Sequence, residues 1–495
     1  MASTLWKTLL AGTAVGGLRV ALAIPIYLIL TPLILHTLGT ELFGLWSLNT
    51  MILTVLNMMD FGLKNSLAYH VAKDQDQPHA TSQHLTVGLV TYMVIGFTLL
   101  VATFFSLDPT VTRLLHIPLP LADSARFIIV ISVITFIVRM LSLPFQSVLE
   151  GHQLWSLSQS LLLGWLVVHA ALTGLALWLK PDIYGLGLAG LGSNMVLAVG
   201  YAWAMRTRLP TVRLQAQHLC WEHLRPVWRY GTGIQVAAVA ITLREPLYKV
   251  LLARSYDLVT LGSFEIANRL CVQLMSLFTL PFMGVLSVTA RLAERPRELE
   301  TFLRPLALYS LAFLPPFVFL VFSTSEMVFS WWLGDKGELP AKLFPLLLAG
   351  FALYYVSEIL YKAIEGSGRS WYSATIQPIV LATQVIIFAN TPSSPWSLAG
   401  SLIAGFAVFT LGNLGMFYRC HPDIRLFSRT QLAWLLIPSG SYLAFLSGLS
   451  EAPGPGLLGL YLCAQTIAVK QAAGISMGTW RTRFIKWVNT PEVPT

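Results

Sequence analysis

Charge is what this chain has least of. Only 11% of its 495 residues are Asp, Glu, Lys or Arg, against 55% hydrophobic residues, and the mean hydropathy is +0.67. So few charges cannot cover a soluble protein of this length, which excludes a soluble enzyme and assigns most of the surface to lipid. Cysteine is also scarce. Cys220, Cys271, Cys420 and Cys463 are scattered without metal-ligand or redox spacing, so they are expected to be packing residues or thiols in a reducing compartment. Walker A, Rossmann and nucleophile-elbow patterns are missing, so the chain is expected not to be an enzyme and to draw any driving force from a gradient. His70, His79, His84, His116 and His152 show no metal spacing, and no bound cofactor is expected.

Long apolar runs are abundant. Candidate spans cover 9–36, 42–68, 85–107, 124–149, 156–179, 184–205, 228–253, 258–290, 303–324, 342–364, 371–390, 396–418, 431–449 and 456–474. That is an all-α polytopic membrane protein of about 14 transmembrane helices. The first span is expected to serve as its own insertion signal, without a cleavable leader. With the N-terminus placed in the cytoplasm, inner loops collect Lys7, Lys64, Lys73, Arg206, Arg208, Arg213, Arg225, Arg229, Arg291, Arg295, Arg297, Arg304, Arg369 and most later bases. Outer loops collect only Arg113, Lys180, Arg254, Lys336 and Lys342. This bias explains the basic balance as topology, not nucleic-acid binding, and places both termini in the cytoplasm.

The chain also repeats itself. "VLEGHQLW" at 148–155 returns as "AIEGSGRSW" at 363–371, so that Glu150 and Glu365 stand 215 positions apart. "FGLWSL" faces "LGSFEI", and "AGTAVGGLRV" faces "YGTGIQVAAV", at similar offsets. Six spans per repeat is an even number, so the two lobes must be parallel, with a central cleft between them suited to alternating access. The expected domains are a lobe at 1–205, a linker at 206–227, a second lobe at 228–419, and two extra helices with a cytoplasmic tail at 420–495. The Glu-Gly step itself reads either as a helix stop or as an inherited gating element.

Ionisable residues at membrane depth are candidates for function. Glu245 with Lys249, Glu265 with Arg269, Glu358 with Lys362 and Asp60 with Lys64 are acid-to-base pairs at i, i+4, able to neutralise themselves on one helix face. Arg126 has Asp123 one turn earlier near the outer surface. Arg19 and Arg139 have no acid three or four residues away, and Arg244 has only its neighbour Glu245, which points elsewhere. Unpaired arginines imply an anionic ligand, and a phosphate or pyrophosphate suits the guanidinium fork, unless the arginines pair across helices. The candidate substrate contacts are Arg19, Arg139, Arg244, Arg269 and Lys249. The candidates for coupling or gating are Asp60, Glu150, Glu245, Glu265, Glu358 and Glu365.

Residues 33–73, "LILHTLGTELFGLWSLNTMILTVLNMMDFGLKNSLAYHVAK", resemble the opening of the bacterial lipid-linked polysaccharide flippases, a branch of the multidrug, oligosaccharidyl-lipid and polysaccharide exporter superfamily. The likeness rests on Gly39, the Phe43-Gly44 step with Trp46, and the "DFGLKNSL" block. "LARSYDLVTLGSFEIANRL" at 252–270 resembles the opening of the second lobe, and the Glu-Gly steps resemble the family's inner helix ends. The resemblance implies two bundles around a V-shaped cleft and a multi-pass protein of the bacterial inner membrane. It implies transfer of an undecaprenyl-pyrophosphate-linked oligosaccharide, an O-antigen type unit, from the cytoplasmic to the outer leaflet. The other partners implied are membrane lipids and glycan polymerase or ligase machinery, with a monomer as the working unit and H+ or Na+ as the candidate coupling ion. A lipid II flippase or an ion-coupled multidrug exporter of the same fold are the alternatives. The second wants cavity carboxylates, whereas the unpaired charges here are basic.

Overall fold

The computed structural model describes residues 2–424 and 426, except 115, 116, 118, 181, 215–220, 256, 257 and 391–395. The extra helices expected at 431–449 and 456–474, the tail, Cys220, Cys463 and His116 lie outside the described residues. Among those described there are thirteen α-helices and no strand. They are α1 (Ala2–Asn57), α2 (Leu63–Lys73), α3 (Pro78–Pro109), α4 (Ala122–Gly151), α5 (Trp155–Leu179), α6 (Ile183–Arg208), α7 (Trp221–Ser255), α8 (Leu258–Thr279), α9 (Val285–Leu292), α10 (Pro296–Leu333), α11 (Glu338–Gly366), α12 (Ser370–Asn390) and α13 (Trp396–Cys420).

These helices carry the first twelve expected spans. Eight described helices are long and apolar enough to cross a bilayer, or nine with the bent pair Gly262–Ser276 and Leu280–Leu292. The first two spans share α1, which breaks at Gly39, where φ is +78°. The second is not continuous through residue 68. It runs to Asn57, tightens into a 3-10 turn at Met58–Asp60, passes through Phe61 and Gly62 with φ of 53° and 66°, and restarts as α2. Its counterpart in the second half breaks alike, with a 3-10 turn at Leu280–Phe282 and a 50° bend before α9.

Two compact units emerge. One holds Met1–Leu243, Met283–Glu294 and Lys362–Pro378, the other Arg244–Phe282, Arg295–Tyr361 and Ile379–Thr495, each over its described residues. Packing and repeat therefore draw different boundaries, because α9 and the α11–α12 turn belong by contact with the first unit. In that unit α4 is central, packed by α1, α2, α3 and α6, and its Ile128, Phe136 and Met140 are buried. On α3, Phe104 and Phe105 are 78% and 76% exposed, an apolar face that suits lipid and not water. Packing against lipid-solvated helices rests on close van der Waals fit, not on removal from water.

The duplicated Glu-Gly step now has a physical cause. Gly151 and Gly366 close α4 and α11, but the left-handed residue that turns each chain comes two positions later, at Gln153 (φ 59°) and Gly368 (φ 83°). The turns match bond for bond. Gln153 N–H donates to Glu150 O at 3.0 Å and Leu154 N–H to Leu149 O at 2.9 Å; Gly368 N–H donates to Glu365 O at 2.9 Å and Arg369 N–H to Ile364 O at 3.4 Å. Glycine is required by close approach instead. A Cβ on Gly151 would lie 2.6 Å from Val71 Cγ1 of α2, and one on Gly366 would lie 2.6 Å from the Leu286 carbonyl oxygen of α9. A Cβ on Gly151 would also meet Val71 Cβ at 2.8 Å, which the α2 backbone fixes, so neither clash is relieved by a change of rotamer. Gly366→Ala and Gly151→Ala are therefore each expected to destabilise by about 1–3 kcal/mol. Thermal unfolding of the purified variants in detergent measures both.

Next to these turns, His70 of α2 is packed against Tyr69 and Tyr230, with His84 of α3 at 5.4 Å between ring centroids. Burial, with help from the His84 charge, brings the His70 pKa down to about 4. His84 bonds Asp74 at 2.9 Å, and that bond holds the Asp74 carboxyl below its usual range. The described residues contain no group of three His, Cys, Asp or Glu able to hold a metal. Because the folded His70 pKa lies below the unfolded value near 6.5, the unfolded chain binds the extra proton between those limits. His70 therefore contributes its full stability above about pH 6.5 and loses it as pH falls towards 4, at most about 3 kcal/mol. His70→Phe is expected to flatten that part of the unfolding midpoint against pH.

Candidate functional site

Two sets of intramembrane charges are organised very differently. The first lies along one face of α4. Arg139 Nη1 donates to Ser142 Oγ and Nη2 to Gln146 Oε1, both at 3.2 Å. Gln146 Nε2 in turn donates to Glu150 Oε1 at 2.7 Å, and Glu150 also accepts from Ser158 Oγ of α5 at 2.9 Å. Its other oxygen, Oε2, lies 3.4 Å from Lys64 Nζ of α2. Positions 139, 142, 146 and 150 are three or four apart, so a single helix stripe carries them over about 16 Å at 1.5 Å per residue. Around this ladder Tyr201 of α6 sits 3.3 Å from Ser158. Asp60 accepts from the Tyr92 hydroxyl of α3 and from the Lys64 backbone N–H, within electrostatic reach of Arg139.

The second set spans α7 and α8. Lys249 Nζ is 2.6 Å from Glu245 and 2.9 Å from Glu265, and Arg269 Nη2 is 3.1 Å from Glu265. Two acids and two bases thus form a neutral chain, joining the two expected i, i+4 pairs through Lys249. Arg244, on the same helix, is only 9% exposed, and aromatic faces hold its guanidinium carbon, 4.9 Å from the Phe406 ring centre and 5.5 Å from Tyr354. Such stacking stabilises a desolvated guanidinium without neutralising it.

The remaining candidates are placed as follows. Arg19 is half-buried on α1, and its Nε has no hydrogen-bond partner among the described residues. Glu358 lies on α11 within electrostatic reach of Tyr355. Lys362, expected beside Glu358, donates to Glu365 Oε2 at 2.9 Å, and Lys64, expected beside Asp60, turns to Glu150. Glu365 is almost fully buried and also accepts from Ser373 Oγ at 3.0 Å, while the Tyr230 hydroxyl donates to its backbone oxygen at 2.8 Å. Arg126 pairs with Asp123 at 2.7 Å, as its spacing implied, and with Asp108 at 3.0 Å. Gln146, Ser158, Tyr92 and Tyr201 belong to the polar set and were not expected there. Of these only Gln146 left a sequence signal, seven residues after Arg139 and four before Glu150.

Broken helices, a duplicated bundle and buried basic residues together make up a known membrane-protein fold. Crystal structures of MATE proteins share it: one in the straight conformation matches with a TM-score of 0.70 at 13% identity, over 85% of this chain and 96% of that one. A MATE transporter from Vibrio cholerae matches at 0.70 and 14%, over 84% and 98%. A MOP superfamily transporter from Pyrococcus furiosus, whose binding pocket is described as reversed in polarity, matches at 0.67 and 13%, over 84% and 96%. At such identities the likeness shows the fold alone. A search of curated proteins finds no match. The sequence model of the polysaccharide biosynthesis protein family matches residues 9–287, more than half of the chain, and the protein belongs to that family.

Proposed function

We propose that this membrane transporter moves an undecaprenyl-pyrophosphate-linked oligosaccharide from the cytoplasmic to the outer leaflet of the bacterial inner membrane, by alternating access. The observation that carries this reading is Arg139: a guanidinium inside a spanning helix whose bonds to Ser142 and Gln146 are to neutral acceptors, so that its charge stays available to an anion. Arg244 on its aromatic platform and the half-buried Arg19 are two further arginines on helices of the bundle. Lys249 and Arg269 contribute less, since both are tied to carboxylates. A pyrophosphate crossing about 30 Å of hydrocarbon needs such compensation, and the guanidinium fork supplies it with direction. Family membership supports a polysaccharide cargo. The Pyrococcus furiosus relative is described as differing in function through the polarity of its pocket, which supports reading the basic residues as a statement about cargo. Asp60, close to Arg139 and held by Tyr92, is the acid we assign to coupling with H+ or Na+.

The test is deletion of the gene in its host followed by mass spectrometry of carrier lipids on the inner leaflet. A completed pyrophosphate-linked glycan is expected to accumulate, and its mass identifies the cargo, lipid II included. No accumulation together with a gain of sensitivity to cationic drugs would return the protein to drug export.

A further inference from the structure

The duplication supplies α4 with its own comparison. At a constant spacing of 215, Ser142 corresponds to Ser357, Glu150 to Glu365 and Ser158 to Ser373. Their bonds correspond as well. Ser142 Oγ donates to the Arg139 carbonyl at 2.6 Å, and Ser357 Oγ to the Tyr354 carbonyl at 3.0 Å. Each glutamate accepts from the serine eight positions on, and each is met by a lysine, Lys64 or Lys362. Two stations differ. Where the first half has Arg139 and Gln146, the second has Tyr354 and Tyr361. The turn after α11 forms without a glutamine, so the turn after α4 does not require Gln146. The glutamine is present where the arginine is present.

We infer that Gln146 is a positioning residue for Arg139, holding the guanidinium in register while leaving its positive charge free to take a phosphate oxygen of the cargo. The inference rests on the reading of Arg139 given above. A guanidinium offers donors only, so the amide must turn its oxygen to Arg139 and its nitrogen to Glu150. The distances rank the two bonds: 2.7 Å to the carboxylate against 3.2 Å to the guanidinium. Gln146 is thus anchored to Glu150, and Arg139 is the looser partner, able to exchange a neutral oxygen for a charged one. A carboxylate at position 146 would hold the guanidinium as firmly but cancel its charge. An apolar side chain would spare the charge and lose the direction. Glu150, for its part, is compensated by Lys64 and makes no demand on Arg139.

The experiment is binding of inorganic pyrophosphate to the purified full chain in lipid nanodiscs, for wild type, Arg139→Ala, Gln146→Leu and Gln146→Glu at pH 8 and pH 5.5. Each affinity is divided by that of wild type at the same pH, which removes the titration of the probe. Expected at pH 8 is a loss of about tenfold or more in Arg139→Ala and Gln146→Glu, the size of one charge-assisted contact, and of at least about threefold in Gln146→Leu. The new carboxylate of Gln146→Glu would face Glu150, Arg139 and Lys64, with Asp60 and the Tyr92 and Tyr201 hydroxyls nearby. Two adjacent carboxylates share a proton as pH falls, so Gln146→Glu is expected to recover towards wild type at pH 5.5 while Arg139→Ala does not. A role confined to the fold predicts no such recovery, and its absence would overturn the inference. So would wild-type binding in Gln146→Leu, which adds no charge and carries the test if Gln146→Glu does not fold. If Arg139→Ala alone weakens binding, the reading of Arg139 stands and that of Gln146 falls. If wild type and Arg139→Ala bind alike, or neither binds, both fall.

Discussion

Replacing Arg139 by alanine is expected to leave a folded, inserted protein that exports glycan at less than about a tenth of the wild-type rate. Removal of this guanidinium breaks bonds to Ser142, Gln146 and the Tyr201 hydroxyl, neutral groups that keep other partners, Gln146 with Glu150, Ser142 with the Arg139 carbonyl and Tyr201 with Ser158. The stability cost is therefore that of a few neutral contacts. The functional cost is larger. A charge-assisted bond to an anion contributes about 1.5–3 kcal/mol, or roughly tenfold to a hundredfold in affinity. Arg139→Lys keeps the charge but offers a point donor in place of the fork, so partial recovery is expected. Complementation of a deletion strain measures both variants, with membrane abundance quantified in parallel. Full export by Arg139→Ala at normal abundance would contradict the assignment.

The second large effect is one of stability. Glu365→Ala is expected to destabilise by about 1–3 kcal/mol, because it takes the acceptor from the buried Ser373 hydroxyl and one partner from Lys362. Lys362 Nζ and Ser373 Oγ both end on the Glu365 carboxylate, at 2.9 and 3.0 Å, and Glu365 is 1% exposed. The double substitution Glu365→Ala, Lys362→Met removes the ammonium as well and is expected to recover part of the loss. Glu150→Ala is the milder counterpart: the two lysines are alike, 31% exposed at Lys64 and 27% at Lys362, but the Glu150 side chain is 19% exposed against 1% for Glu365, so water can reach the donors it leaves. Unfolding midpoints of the four proteins decide it. A double variant no more stable than Glu365→Ala would mean that the carboxylate acts through Ser373 and the turn, not through the ion pair.

Much of the fold was legible because its signals are long. Apolar runs locate the helices, Gly39 marks a real break, and the Glu-Gly repeat marks two turns whose hydrogen bonds correspond. The reason for the glycine was not legible. It lies in the approach of α2 and α9, elements far away in sequence. Likewise the breaks at Met58–Gly62 and Leu280–Phe282 lie inside apolar runs that hydropathy reads as continuous. Of the candidate site, residue type and depth single out Arg139 as a candidate, but its anchoring through Gln146 depends on which helix face each residue takes. Spacing paired Lys64 with Asp60 and Lys362 with Glu358; tertiary geometry gives Lys64 to Glu150 of α4, whereas Lys362 bonds Glu365 three residues on along the same helix. A long flexible ammonium reaches several acids, and sequence spacing ranks only those on its own helix.

The most direct measurement places the purified protein in liposomes containing an undecaprenyl-pyrophosphate-linked oligosaccharide and follows how fast the glycan on the inner leaflet becomes accessible to an impermeant glycosidase outside. Wild-type protein is expected to make the protected half accessible, and Arg139→Ala to leave most of it protected. Glycan that stays protected with the wild-type protein, under either a proton or a sodium gradient, would contradict the account.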